Sequence, residues 1–166
     1  NDELSAGDKT LIAALYPKGK KESTFIVPKV DITNFTKLTV VNNTTKKGLS
    51  IYPVFDLKTN SKLGKVYFVA RLANEDDYYL ETTNQYYNWG GTAATYLRMN
   101  LLPNVKISYN KANTKNLELF FPYSKMPDLN GKKIKIVFAV YLDDESNGQM
   151  DKLMYFSMTN PLSIPK

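Results

Sequence analysis

The stretch of this chain with the most suggestive spacing of metal-binding groups is DDESNG, residues 143–148. Asp143, Glu145 and Asn147 occupy alternate positions and Gly148 follows, which partly fits the first half of an EF-hand calcium loop. The position that should supply a bidentate glutamate is Met154, and the flanking residues alternate as strands do. We therefore expect an acidic hairpin tip, with a calcium site as the alternative.

A calcium site in this loop would draw its ligands from four acids: Asp143, Asp144, Glu145 and Asp151. Asp76 and Asp77 would join them if the two loops met at one end of the domain, as they do in C2-type domains. No other cofactor is expected.

Aromatic side chains are concentrated between residues 78 and 89, directly before Gly90-Gly91. They are Tyr78, Tyr79, Tyr86, Tyr87 and Trp89. Such residues dominate the hot spots of protein interfaces. Their faces also stack on sugar rings, and Asn84, Gln85 and Asn88 lie where they could bind sugar hydroxyls. The cluster thus predicts packing against the core, a protein-binding loop or a glycan-binding loop, and the partner expected first is a protein.

Catalytic groups are scarce, because the chain has no His and no Cys. A Ser/Lys dyad or a pair of carboxylates is the enzymatic alternative. No nucleophile motif surrounds any serine, and the acids lie mainly in loop-like stretches such as Glu75-Asp76-Asp77. We therefore predict no catalytic residue and no enzyme.

The elements that must position these groups are β-strands. In KIKIVFAVYL, residues 133–142, every second side chain is apolar, which is the period of a strand with one buried face. Similar patterns predict nine strands: Thr24–Val30, Lys37–Val41, Leu49–Leu57, Val66–Leu72, Tyr78–Thr82, Val105–Tyr109, Leu117–Phe121, Lys133–Leu142 and Leu153–Thr159. The predicted fold is an all-β, two-sheet antiparallel β-sandwich with at most one short N-terminal helix, at Lys9–Tyr16.

Turn residues punctuate these strands. Asn43–Gly48 and Thr59–Gly64 read as hairpin-like loops, and Asn130-Gly131 and Asn147-Gly148 as tight turns. Pro122 should end a strand because it has no N–H to donate, and we expect the Tyr123 hydroxyl to bond back across the corner.

Composition narrows the class of protein. A length of 166 residues suits a single domain, 1–166, with residues 1–8 expected to be flexible. The formal charge of +6 is nearly all lysine. Because phosphate and base recognition relies on arginine, nucleic acid is not an expected partner, whereas an anionic lipid or a carbohydrate is an alternative. No apolar run approaches the ~20 residues of a membrane helix.

The stretches 49–55, 66–72 and LELFFPYSKMPDLNGKKIKIVFAVYL (117–142) resemble β-sandwich accessory modules of bacteria. The resemblance covers a little over half of the chain and implies an immunoglobulin-like or C2-like sandwich without a specific activity. Together with the absence of an initial Met, it leads us to expect an exported bacterial module, periplasmic, outer-membrane-anchored or on the cell surface. A small lipoprotein of a secretion or surface assembly, with a role in virulence, is one version of that expectation.

Overall fold

The computed structural model describes residues 30–60, 64–110, 117–143 and 152–164. Within these ranges the chain is an all-β sandwich of two antiparallel sheets with nine strands, as the sequence predicts. The strands are β1 (Val30–Asn43), β2 (Gly48–Thr59), β3 (Gly64–Ala73), β4 (Asn88–Trp89), β5 (Thr92–Leu101), β6 (Lys106–Tyr109), β7 (Leu119–Pro122), β8 (Lys135–Asp143) and β9 (Lys152–Met158). No helix in the described part of the chain is long and apolar enough to cross a membrane.

The first sheet is built around β2. Strand β1 pairs with one edge of β2 along almost its whole length. The other edge is shared, because residues 55–58 of β2 pair with β6 and residues 48–51 pair with β7. Strands β6 and β7 therefore lie end to end beside β2.

The second sheet has the order β4-β5-β3-β8-β9. Its centre is β3, which pairs with β5 from Gly64 to Arg71 and with β8 from Lys65 to Ala73. This register places β5, β3 and β8 side by side. It therefore determines which side chains of the three strands are neighbours across the sheet.

The core lies between the sheets, where the alternating apolar side chains of β2, β3 and β8 meet. Phe55 of β2 is at its centre, with ring centroids 5.8 Å from Phe68, 5.8 Å from Phe138 and 5.0 Å from Tyr109. The predicted inward faces are confirmed, because the following side chains are buried: Leu49, Ile51, Phe55 and Leu57 of β2; Val66, Phe68, Ala70 and Leu72 of β3; Ile134, Ile136, Phe138, Val140 and Leu142 in and next to β8.

The structure differs from the predicted elements in four places. Strand β5 was not predicted at all, and Tyr78–Thr82 forms only isolated bridges, at Tyr79 and Glu81. Strand β1 extends well beyond the predicted Lys37–Val41. The segment between Thr59 and Gly64 does not close a hairpin, because β2 and β3 belong to different sheets.

The corner after β7 forms as predicted. Pro122 is the last residue of the strand, and a 3-10 helix, Tyr123–Lys125, follows. The Tyr123 hydroxyl donates to Asn42 Oδ1 on β1. Asn130 and Gly131 both have positive φ, 48° and 74°, in the turn before β8. The helix expected at 9–16, the strand expected at 24–30 except for its last residue, and the turn at 147–148 lie outside the described residues.

Candidate functional site

The outward side of the five-stranded sheet is aromatic, whereas the solvent side of an antiparallel sheet is normally polar. Because side chains alternate along a strand, Tyr67, Val69 and Arg71 of β3 point away from the core. The residues opposite them in register are Arg98, Tyr96 and Ala94 on β5 and Tyr141, Ala139 and Val137 on β8. We use the name "aromatic face" for Tyr67, Arg71, Tyr79, Trp89, Tyr96, Arg98 and Tyr141.

Trp89 is at the centre of this face. Its ring centroid lies 5.1 Å from that of Tyr67, 5.4 Å from Tyr96 and 5.3 Å from Tyr141. The angles of the first two pairs, 63° and 64°, are edge-on arrangements that aromatic quadrupoles favour. Trp89 is thus held by one ring from each of the three central strands.

A tight turn brings Trp89 over the sheet. Trp89 pairs with Thr92 of β5, and the two glycines between them have φ values of 59° and 86°, which suit residues without a Cβ. The Asn88 side chain accepts from the Gly91 amide at 2.8 Å, and the Thr92 hydroxyl donates to the Trp89 carbonyl at 2.6 Å. These bonds fix the direction in which the indole leaves the backbone.

Both arginines of the chain lie on the aromatic face. The Arg71 guanidinium carbon is 4.9 Å from the ring centroid of Tyr79 and 5.5 Å from that of Tyr141. Arg98 lies over Tyr67 at 5.4 Å and donates to Asp143 at 2.8 Å. Each cation is therefore in contact with the negative face of at least one ring.

Small side chains form the floor beneath these rings. Val69, Ala94, Val137 and Ala139 point outward, yet they are only 0%, 0%, 1% and 2% exposed. Side chains of the aromatic face must cover them, so this side of the sheet has a second packed layer. The outer part of that layer still reaches solvent, since Tyr96 is 45% exposed and Phe156, on the same side of β9, is 47% exposed.

The five aromatic residues that the sequence groups as one cluster lie in different surroundings in the structure. Tyr78 and Tyr86 are 72% and 73% exposed, and Tyr79 lies at the rim over Arg71. Tyr87 instead stacks on Phe121, with centroids 5.4 Å apart, and packs against the core. Trp89 joins rings that the sequence did not group with it.

The partners of Trp89 were missed in the sequence. Tyr67, Tyr96 and Tyr141 lie far from the Tyr78–Trp89 segment along the chain, and only the register of β3, β5 and β8 brings them together. A signal was present in VYFVARL, residues 66–72, where the positions that should be polar are Tyr67, Val69 and Arg71. When the side chains that should face solvent include an aromatic and an aliphatic residue, as Tyr67 and Val69 do here, the second face of the strand is also covered.

The outward side of the first sheet carries a hydrogen-bonded polar cluster instead of an aromatic layer. Its most connected group is Glu118, which accepts from Ser50 Oγ at 2.7 Å, from Lys46 Nζ at 2.9 Å and from the Tyr52 hydroxyl at 3.2 Å. The Ser50 hydrogen bond is the largest factor that lowers the pKa of Glu118 below its usual value. A carboxylate held in this way is a weak base, and Ser50 is only 1% exposed. Ser50 and Glu118 therefore lack the properties of a nucleophile and its general base.

The acids proposed for calcium do not gather in the described part of the chain. Asp143 is paired with Arg98, whereas residues 144, 145 and 151 lie outside the described residues. Asp76 and Asp77 follow the end of β3 that pairs with the start of β8, and Asp143 is at the far end of β8. The loops of Asp76 and Asp143 thus lie at opposite ends of the sheet, and the condition under which Asp76 and Asp77 would join the site is not met. Among the described residues, no group of three acids could hold a metal ion.

Two open clefts lie at the end of the sandwich where β8 begins. The larger, about 730 Å³, is bordered by residues 81–84, 90–92 and 124–127. The second, about 610 Å³, is bordered by residues 126–132 with Tyr123 and Ile164. In the larger cleft the Thr82 hydroxyl and the side-chain oxygen Oδ1 of Asn84 accept hydrogen bonds from backbone amides of the same loop. These two polar groups therefore hold the loop in shape.

Comparisons of the chain with family models, with curated proteins and with solved structures give no match. The resemblance to immunoglobulin-like or C2-like modules of bacteria therefore stays a prediction.

Proposed function

We propose that this domain is a non-catalytic binding module that recognises another protein with its aromatic face. The observation that carries the proposal is the difference between the two outward sides of the sandwich. One carries a polar cluster hydrogen-bonded around Glu118, and the other presents Trp89, Tyr96 and Arg71. Trp, Tyr and Arg are the residue types that dominate the energetics of protein interfaces.

The exposed residues around this layer extend the binding surface. Leu153 and Phe156 border it on β9, where they are 51% and 47% exposed. Tyr78 and Tyr86 are more exposed still, in the segment that also carries Tyr79. A contiguous apolar surface of this kind is typical of an interaction site. The packed rings beneath it hold the surface in one shape, which lowers the entropy lost on binding.

The contact surface differs from the one that the sequence suggested. A module acting through loops at one end was expected, whereas here the sheet face carries the proposal and Tyr79 lies at its rim. The exported bacterial setting, including a lipoprotein of a surface assembly, stays part of the proposal.

Site-specific photocrosslinking tests the proposal. p-Benzoylphenylalanine is placed at Tyr96, which is 45% exposed on the aromatic face, and as a control at Val41, which is 38% exposed on the outward side of the first sheet. We expect irradiation in the organism of origin to give one discrete protein adduct from position 96 and none from position 41. Equal adducts from both positions, or none from position 96, would contradict the proposal.

A second candidate function is carbohydrate binding in the cleft of about 730 Å³, which is favoured by its lining of Thr, Asn and Glu side chains. It predicts that glycans, screened on an array, bind the domain and that Glu81→Ala, which removes an exposed side chain of the cleft, abolishes that binding. Protein adducts at position 96 that persist in Glu81→Ala would favour the first candidate.

A further inference from the structure

Arg71 is held between two tyrosine rings on the aromatic face. Its guanidinium carbon is 4.9 Å from the centroid of Tyr79 and 5.5 Å from that of Tyr141. The residue as a whole is half-buried, so part of its side chain still reaches solvent. Stacking on both rings restricts the rotation of the guanidinium, which presents its donors in a fixed plane.

Arg71 has no acidic partner in the described part of the chain. It makes no hydrogen bond or ion pair there, and its Nε is a buried donor without an acceptor. Other cations of this sheet are paired, Arg98 with Asp143 at 2.8 Å and Lys135 with Asp77 at 2.5 Å. Of the three guanidinium nitrogens of Arg71, only Nε is buried without a partner, so the two terminal nitrogens reach the surface and are the donors that an acceptor from outside can meet.

The neighbouring strands explain why the chain itself supplies no acceptor. Opposite Arg71 in register are Ala94 on β5 and Val137 on β8, which are 0% and 1% exposed. Apolar walls around a cation lower the local dielectric and strengthen its attraction for an anion. The Tyr141 ring touches both Arg71 and Trp89, so an anion bound at Arg71 would lie beside the aromatic surface.

We propose that Arg71 receives the carboxylate of an Asp or Glu side chain of the partner protein, next to an aromatic or aliphatic side chain that packs on Trp89 and Tyr96. The inference deepens the proposed function and rests on it. The fork of a guanidinium matches a carboxylate through two parallel hydrogen bonds, a geometry that an ammonium cannot reproduce.

The test uses two capped dipeptides as probes, N-acetyl-Asp-Phe-amide and its neutral twin N-acetyl-Asn-Phe-amide, each titrated into the wild-type protein. The chain has two arginines and one tryptophan, so ¹H–¹⁵N spectra of the arginine Nε and indole groups contain very few signals. An Arg98→Lys variant assigns the Nε signal of Arg71. We expect the Asp peptide to shift the Arg71 and Trp89 signals in the millimolar range, and the Asn peptide to shift the Arg71 signal much less.

Variants add a second readout. Arg71→Lys keeps the charge and loses the fork, and we expect it to bind the Asp peptide about tenfold more weakly, whereas Lys58→Arg, on the outward side of the first sheet, binds as the wild type does. Melting temperatures of both variants establish that they fold. No shift at the highest soluble peptide concentration, equal shifts by the Asp and Asn peptides, or unchanged affinity in Arg71→Lys would overturn the inference.

Acetate and inorganic phosphate at the same concentration test whether any anion suffices. If either shifts the Arg71 signal as far as the Asp peptide does and leaves Trp89 unchanged, the site is a general anion site and the inference is wrong. Crosslinking at position 96 separates this failure from that of the proposed function. If the protein with the crosslinker at position 96 still forms its adduct when Arg71 is replaced by Gln, the carboxylate contact alone is wrong. If the protein with the crosslinker at position 96 and no other change forms no adduct, the proposed binding function is wrong.

Discussion

The hydroxyl of Thr95 donates a hydrogen bond of 2.9 Å to the carbonyl oxygen of Phe120. Thr95 belongs to β5 of the second sheet and Phe120 to β7 of the first, so a side-chain bond joins the two layers directly. Thr95 is 7% exposed, which places this polar contact at the edge of an otherwise apolar interior.

Replacing Thr95 by Val should therefore destabilise the domain, although Val has nearly the same shape. The substitution removes the hydroxyl donor, so the Phe120 carbonyl oxygen loses this hydrogen bond. We expect the free energy of unfolding to fall by about 1–2 kcal/mol. Urea denaturation measures the change. Thr95→Ser, which keeps the hydroxyl, is the matched control, and a Val variant as stable as the wild type would show that the bond contributes nothing.

Glu118 should make stability depend on pH. The Ser50 hydroxyl first, and then Lys46 and Tyr52, hold its pKa below the usual 4.5, against the opposite effect of burial. Because the folded-state pKa is lowered, the stabilisation is present above about pH 4.5 and is lost as the pH falls through the folded-state pKa. Glu118→Gln should flatten the fall of the unfolding free energy in acid, which urea denaturation at a series of pH values measures, and an unchanged fall in this variant would contradict the expectation.

Ala substitutions of Trp89, Tyr78 and Tyr86 should differ in how much they lower the free energy of unfolding. Trp89 covers small buried side chains, so Trp89→Ala should cost about 2–3 kcal/mol, somewhat less than a fully buried ring. Tyr78 and Tyr86 are 72% and 73% exposed, and their Ala variants should stay within about 0.5 kcal/mol of the wild type. Thermal and chemical denaturation test this pattern, and a large loss in Tyr78→Ala would mean that the loop is packed more tightly than described.

Gly48, the first residue of β2, has no room for a side chain. A Cβ added there would lie 2.5 Å from the Phe121 carbonyl oxygen and 2.5 Å from Phe120 Cζ. Gly48→Ala should lower the unfolding free energy by about 1–3 kcal/mol because β2 and β7 must move apart. Gly131→Asn is the control, since nothing lies within 4 Å of the added Cβ and Asn tolerates its φ of 74°.

Calcium should not stabilise the domain through Asp143. That carboxylate is 15% exposed and already accepts from Arg98 at 2.8 Å, so a metal ion would have to displace the arginine. A thermal-shift titration with calcium, with EDTA as the blank, is the measurement. Binding would add about 2.7 kcal/mol at a hundred times the dissociation constant. A rise in melting temperature that disappears in Asp143→Ala would therefore contradict the expectation.

The sequence predicted the strands in which a row of large apolar side chains alternates with a row of smaller or more polar ones. Strand β2 was found because its buried residues alternate with polar or half-exposed ones such as Ser50, Asp56 and Lys58. Strand β5 was missed because Tyr96 and Ala94 on its outward side are as apolar as Leu97 and Met99 on the inward side. Periodicity is a weak signal where the two rows of side chains in a strand are similarly apolar, as they are in β5.

The candidate site could be found only in part for a related reason. Tyr78–Trp89 stood out as a cluster in the sequence, but a cluster along the chain says nothing about which strands its rings will meet. Tyr67 and Tyr141 are 74 positions apart and lie directly opposite each other in the register of β3 and β8. Contacts of this kind depend on strand order, which local patterns do not encode.

The positions of Val30 and Ile164 determine how the sandwich would respond to a force applied between these two residues. Val30 pairs with Thr59 at one end of β2, whereas Ile164 borders the cleft beside Tyr123, near the other end. A force pulling these two points apart runs along β1 and β9, parallel to the strands. Many backbone hydrogen bonds between β1 and β2 are then loaded together in shear instead of opening one after another, so this pair of strands should resist a pull along the strands more than a pull across them.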